Sequence, residues 1–401
     1  MALWQAVCSR LNSEVASAEV RHQAGKHTSA ARIVSNCRLS AEAKAGSCRR
    51  VFSSLGDRAL MSVVVRPADL QADRVQLIRS LSEYINPSAD ARRFDWLYLQ
   101  NPHGTARAWL AKDGASGHYI GVSAIFPRRM KVRQQEITAC IFGDFGIERD
   151  YRTLGPALLL QRATISGMRA AGFAFGYDLP STSMLGVYRR LNIAPRESLV
   201  RMAKPLRANR KVSRSVRPAV IARSVSAAAN FMLAKRDSLR RSRGRAAITP
   251  HEGRFAEEFT ALANRVDAAG SGHIHRTAEY LNWRFLDHPH CRFEILTARE
   301  EKQVKGYIVF LEEGGDARIV DWFAEDPVEI RRALVAQAID ILRSRGCETL
   351  SLPISASHPW CSDLKTLGFR PRESQPIVTL DNQTDAAEEP SWLFLEGDRE
   401  S

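Results

Sequence analysis

The chain has 401 residues, 44% hydrophobic and 25% charged, with a formal net charge of +14. That length outgrows one ordinary core, and two domains of roughly 150 residues each are expected. No apolar run reaches the roughly 18 residues of a membrane span. The seven cysteines are scattered without paired spacing, which argues against a disulfide framework and for reduced thiols in a soluble, cytoplasmic protein.

The positive charge is concentrated. Lys204 to Arg245 holds thirteen Lys and Arg against one acid, Asp237, and residues 1–60 hold nine bases against four acids. The segments between are nearly neutral, so the basic character belongs to a tail and a linker. Residues 1–60 are rich in Ser, Ala and Arg and show no steady apolar period. They also lack the continuous apolar core, about 7–15 residues, of a signal peptide. They read as a disordered extension or as chain upstream of the true start, with an organelle transit peptide as the alternative. Regular patterning opens at Met61 in "MSVVVRPADL".

Alternating apolar runs at His118–Pro127 and Ile137–Gly146 predict strands. A helix is predicted from about Gly155 to Ala171, stopped by Gly172. A short strand (Phe173–Tyr177), a second helix (Ser183–Leu191) and a closing strand near Leu199 follow. The second half predicts the same order: strands at Arg292–Leu296, Val304–Phe310 and Ala317–Phe323, then a helix at Val328–Arg345. A strand at Thr349–Leu352, a helix at Trp360–Leu367 and strands near Ile377 and Trp392–Leu395 complete it. Two sequence anchors tie the halves together. "FDWLYLQNPH" (Phe94–His103) matches "LNWRFLDHPH" (Leu281–His290), pairing Trp96 with Trp283, and "APRES" (Ala194–Ser198) matches "RPRES" (Arg370–Ser374). A duplicated α/β unit is therefore expected. Residues 61–203 form the first copy, 204–247 the basic linker and 248–401 the second copy. The repeated tryptophans and His103/His290 read as structural, and His273 and His275 as a polar loop.

Between the predicted strand ending near Ile147 and the helix lies Arg152-Thr153-Leu154-Gly155-Pro156-Ala157. A strand, a turn and a helix start make an anion site, because the first helical N–H groups lack intrahelical partners and carry the positive dipole end. Gly155 presents no Cβ to a ligand, Pro156 suits the first turn, and Arg152 adds a charge-assisted contact.

This stretch resembles the pyrophosphate loop of the GNAT acyltransferases, Gln/Arg-x-x-Gly-x-Gly/Ala. "GDFGIERDYR" resembles the family's central strand and turn, and "SMLGVYRRLNI" (Ser183–Ile193) its helix ending in Tyr-x-x-Leu-Gly-Phe. The likeness covers about residues 62–203, whereas about 260–397 resembles the fold more than the motif. It implies an α/β (α+β) protein of two tandem GNAT-like domains, each a mixed sheet splayed between its fourth and fifth strands and flanked by helices. It further implies acetyl-CoA or another acyl-CoA as co-substrate, with its diphosphate on the N–H groups of Arg152 to Ala157. Phe145, Gly146 and Ile147 would pair with the pantetheine amides, and Ser181 stands where many members have Asn. Tyr188 would protonate the departing thiolate. An amine acceptor, a small molecule or a peptide, would attack the thioester directly, with no metal. Asn192 replaces the usual glycine and tolerates a left-handed backbone. The general base is left open, Asp144 and Glu148 being nearby carboxylates. In the second copy "PVEIRRA" (Pro327–Ala333) lacks the glycine and brings in Glu329, and Lys365 is assigned to the tyrosine place. That copy is expected not to bind CoA.

The linker's apolar residues Val220, Ile221, Val225, Phe231 and Met232 are flanked by bases, which suits packing on a domain or contact with an anionic membrane surface. With neither aromatic interleaving nor a recognition motif, nucleic acid ranks last. The reading is an acyl-CoA-dependent N-acyltransferase. Its alternatives are a non-catalytic scaffold of the same fold and an aminoacyl-tRNA-dependent transferase of the peptidoglycan-bridge type.

Overall fold

The computed structural model describes residues 63–132, 135–239, 246–266, 270–381 and 391–400; the expectations for residues 1–60 lie outside them. Strand β1 (Val63–Ala68) precedes helix α1 (Arg74–Tyr84) and a short α2 (Ala91–Phe94) that widens into a π turn over Asp95–Leu99. Strands β2 (Arg107–Asp113), β3 (Tyr119–Val132) and β4 (Gln135–Ile147) form an antiparallel meander. Helix α3 (Leu154–Ala170) crosses to β5 (Phe175–Asp178), and α4 (Thr182–Arg190) leads to β6 (Glu197–Pro205). The predicted linker contains α5 (Asn209–Ser215) and α6 (Ala219–Leu239).

The second half begins with β7 (Ala247–Pro250), α7 (Glu257–Arg265), β8 (Gly272–Ile274) and α8 (Ala278–Leu281), which widens into its own π turn over Asn282–Leu286. Strands β9 (Glu294–Glu300), β10 (Gln303–Glu313) and β11 (Asp316–Ala324) follow. Helix α9 (Val328–Ser344), β12 (Thr349–Ser355), α10 (Trp360–Thr366), β13 (Arg370–Asp381) and β14 (Trp392–Leu393) complete the order. The predicted elements from His118 onward are present, with ends shifted by a few residues, where helices and strands fray.

All strands join one fourteen-stranded sheet, ordered β1-β2-β3-β4-β5-β13-β6-β12-β11-β10-β9-β7, with β8 and β14 beside this path. The order reads the same from either edge once each strand is matched to its repeat. The closing strands are exchanged. β6 pairs with β12, from Thr349↔Pro205 to Ser355↔Leu199, and β13 pairs with β5, from Val378↔Asp178 to Asp381↔Phe175. β6 and β13 also pair with each other. The expected first-copy boundary at residue 203 therefore falls inside a strand of the second half's sheet, and Val63–Ser401 is one compact unit. Exchange removes two open sheet edges at the centre, where unpaired N–H and C=O groups would otherwise lie. A large apolar core runs through both halves, and a smaller one, with Trp109, Leu160, Met168 and Tyr188, lies under α3 and α4.

The sheet forks where the resemblance implied. β4 and β5 pair in parallel only at Ala139↔Phe175, Cys140↔Gly176 and Ile141↔Tyr177, and β11 and β12 only at Ala317↔Leu350 and Arg318↔Ser351. Beyond those pairs each couple of strands parts.

Candidate functional site

Past Ile141, β4 keeps β3 on one side and, among the described residues, has no strand on the other. Phe145 is half-buried there, and Gly146 and Ile147 are buried. A Cβ on Gly146 would come within 2.7 Å of Ile85 and 2.9 Å of Tyr84, so glycine is what lets the end of α1 close over the strand. Register slips between Val122 and Ala124, opposite Asp144, whose φ is +47°. Few non-glycine residues adopt that backbone. Asp144 is held in it by Arg93, at 2.8 and 2.9 Å, and by the Tyr98 hydroxyl at 2.8 Å. Its carboxylate is buried and engaged, so it is not the free base the sequence left open. Glu148 accepts from His118 Nε2 at 2.9 Å.

After a 3-10 turn over Arg149–Tyr151, Thr153 caps α3 with extended backbone, no side-chain cap and no acid in the first turn. The expected six-residue anion loop narrows here. Arg152 N–H already donates to Arg149 O and Thr153 N–H to Tyr151 O, at 3.3 and 2.6 Å. Pro156 has no N–H, and Ala157 is the first residue whose N–H reaches a carbonyl within the helix. The open donors are those of Leu154 and the half-buried Gly155. Arg152 is exposed, and its Nε donates to Ile147 O at 2.9 Å, tying the loop to the end of β4.

Tyr188 is not presented to the fork. The phenol is wholly buried, donates to Asp178 Oδ2 at 2.7 Å and accepts from Gln161 Nε2 at 2.9 Å. Burial, then the Asp178 carboxylate, push its pKa well above the ordinary tyrosine value. Asp178 itself is half-buried, one residue beyond the last β4–β5 pair. Burial pushes its pKa up to about 7, against the lowering effect of the Tyr188 hydrogen bond. Ser181 caps α4, accepting from Met184 N–H at 3.3 Å, so its hydroxyl serves the helix. Asn192 takes φ +58°, the left-handed turn expected of it.

The strand expected at Trp392–Leu395 opens a C-terminal segment whose place at the fork sequence reasoning did not anticipate. Phe394 and Ser355 exchange hydrogen bonds, Ser355 N–H to Phe394 O at 3.0 Å and Phe394 N–H to Ser355 Oγ at 2.9 Å, and Ile354 bridges Leu395. The segment thus occupies the fork edge of β12. It is fixed further by Arg276 on Asp398 at 2.9 Å and by the Tyr177 hydroxyl on Asp398 O at 2.8 Å. Its last described residue, Glu400, lies against β4 of the first half, where a Cβ on Gly143 would lie 2.7 Å from Glu400 Cγ. Burial and the neighbouring Asp144 carboxylate hold Glu400 above the ordinary carboxylate range. The advance signal was the apolar run Trp392–Leu395, which predicts a strand but not its neighbour.

The second fork differs. Pro327 caps α9 and Glu329 sits in its first turn. Arg331 and Arg332 grip Asp363 of α10 at 3.2 and 3.0 Å, with Arg331 4.8 Å over the Trp360 ring. By backbone contacts the tyrosine place belongs to Leu364, not Lys365. Phe369 N–H donates to Leu364 O as Ile193 N–H donates to Tyr188 O, while Lys365 is exposed. His103 and His275 are bonded within the fold, to Arg129 N–H and to Glu136. Among the described residues no group of three or more His, Cys, Asp or Glu could hold a metal ion.

No protein-family model and no curated protein matches the chain. Solved structures do. A GCN5-related N-acetyltransferase from Anabaena variabilis is 15% identical, with a TM-score of 0.59 over 80% of this chain and 73% of that one. A conserved Enterococcus faecalis protein of unknown function is 11% identical, with a TM-score of 0.58 over the same shares. A GCN5-related N-acetyltransferase from Kribbella flavida is 13% identical, with a TM-score of 0.52 over 80% and 71%. With its forked mixed sheet and the loop that opens α3, the chain has the fold of the GCN5-related N-acetyltransferases.

Proposed function

We propose that the chain is an acyl-CoA-dependent N-acyltransferase whose first half carries the reaction. The observation that carries this reading is the start of α3: an uncapped, acid-free helix end with open N–H groups on Leu154 and Gly155, beside a strand edge released by the fork. A CoA diphosphate fits those donors, with Arg152 and Thr153 framing it and Pro156 and Ala157 behind. The pantetheine amides pair along Phe145–Ile147, and the thioester reaches the fork.

Two carboxyl groups flank the fork there. Glu400, as carboxylate, takes the proton of the attacking amine. The nitrogen–carbon bond forms and the carbon–sulfur bond breaks. Asp178, whose carboxyl pKa burial pushes up to about 7, returns a proton to the thiolate. Tyr188 holds Asp178 in place and supplies the adjoining O–H. The second half shapes the acceptor side through the tail that carries Glu400.

The test is thiol release from acetyl-CoA and longer acyl-CoAs with a panel of primary amines and amino-terminal peptides. Release that depends on both the amine and Asp178 supports the reading. Release that ignores the amine, or survives Asp178→Asn unchanged, contradicts it.

A further inference from the structure

Helix α6 is packed the wrong way round for a surface helix. The side it turns inward carries the buried Ala222 and Ser226. Asn230 lies on that side too, its amide bonded to Ala208 N–H and to Asn209 at 2.7 and 2.9 Å. Asp237 continues the same side, bonding Lys204 at 2.6 Å and also Arg343. The opposite side exposes Ile221 (51%), Phe231 (67%), Met232 (55%) and Leu239 (79%), together with Val220 and Val225. At 100° per residue these six side chains cover an arc of about 140°.

The charge in and beside that arc has one sign. Lys235 lies within the arc and Arg223 and Arg236 lie outside it on α6; these, Arg217 before the helix, and Lys211 and Arg214 on α5 are all exposed. The one acid of α6, Asp237, faces inward on its two cations.

We propose that α6 docks flat on an anionic lipid bilayer, with its apolar arc among the acyl chains and its basic side chains at headgroup level. Long Lys and Arg stems cover apolar surface while keeping their charge in the polar layer, and the cytoplasmic face of a membrane supplies the opposite charge. A second copy of the chain is the poorer occupant. It would bring two basic, outwardly acid-free helices together and bury Lys235 in the seam of Ile221, Val225, Ala228, Met232 and Leu239. The arc is also wider than the a/d seam two paired helices share. The helix lies on the bilayer, since no helix of the described residues is long and apolar enough to cross one.

Flotation of the full chain with vesicles tests this. Wild type is expected to float with vesicles containing phosphatidylglycerol, to stay behind with phosphatidylcholine alone, and to be released by salt. The pair Phe231→Ser and Met232→Ser should lower partitioning by at least about tenfold with an unchanged melt, both side chains being exposed. The pair Lys235→Gln and Arg236→Gln should weaken binding to the anionic vesicles specifically. Failure of wild type to float with anionic vesicles at low salt overturns the proposal, as does flotation unaffected by the serine pair. A concentration-dependent dimer abolished by the serine pair, without flotation, assigns the face to a second copy and also overturns it.

Discussion

Trp96 and Trp283 each donate an indole N–H to the other's backbone carbonyl, at 2.8 Å in both directions, with their rings stacked 4.8 Å apart. The two residues are the matched positions of the two similar sequence segments, so the contact joins equivalent places in the two halves. The exchanged strands β6 and β13 bind the two halves in the same reciprocal way, and together these contacts make them one compact unit.

Removing one indole N–H tests that reciprocity. Trp96→Phe should leave a buried carbonyl of Trp283 without its donor and cost about 1–3 kcal/mol. Trp283→Phe should cost a similar amount, while Trp96→Ala, which also empties the stack, should cost about 3–5 kcal/mol. Urea unfolding checks this. One transition for the whole described unit is expected, and two separate transitions would contradict the exchanged-strand account.

The hydrogen bond from Tyr188 lowers the pKa of Asp178, which burial has raised to about 7. Tyr188→Phe keeps the ring and deletes that bond, so the carboxyl should titrate at higher pH. The alkaline limb of the rate profile is then expected to move upward, with CoA affinity nearly unchanged. A loss of rate with an unmoved limb would make Tyr188 the proton donor itself. No change in either would leave it a packing residue.

The same group makes a stability prediction. The folded pKa of Asp178, about 7, lies above its ordinary value of 3.8, so the native state holds the proton more tightly. Its contribution is complete below about pH 4 and is lost as pH rises through 7. Asp178→Asn should therefore gain stability relative to wild type between pH 5 and pH 8. Melts of the two proteins at both pH values check the sign.

Glu400→Gln removes the proposed base while keeping shape and burial. The rate is expected to fall by roughly 10² or more, with acyl-CoA binding retained. Loss of CoA binding would show instead that the tail acts on the donor side.

The sequence carried much of this because its signals were local. Alternation and helical period marked the strands and helices, and the recurring Trp, Pro and His positions pointed to the matching strand order of the two halves. Arg152 to Ala157 were legible as a helix start. What was not legible depends on non-local pairing. Nothing in "APRES" or "RPRES" says that each belongs to the other half's sheet, since a strand looks the same whichever neighbour it takes. Tyr188 and Asp178 are ten residues apart with a turn between them, and their hydrogen bond follows only from the packing of α4 on β5. Glu400 reaches Gly143 from 257 positions away in the sequence, a contact no spacing could suggest.

Isothermal titration with acetyl-CoA and longer acyl-CoAs tests the central claim most directly. One equivalent per chain is expected to bind, in the low- to mid-micromolar range, or about −7 kcal/mol. Gly155→Glu should abolish that binding while circular dichroism shows the fold intact, because a carboxylate would then occupy the start of α3. Glu329→Gly should create no second site. Failure of every CoA thioester to bind at millimolar concentration, or full-strength binding by Gly155→Glu, would contradict the account.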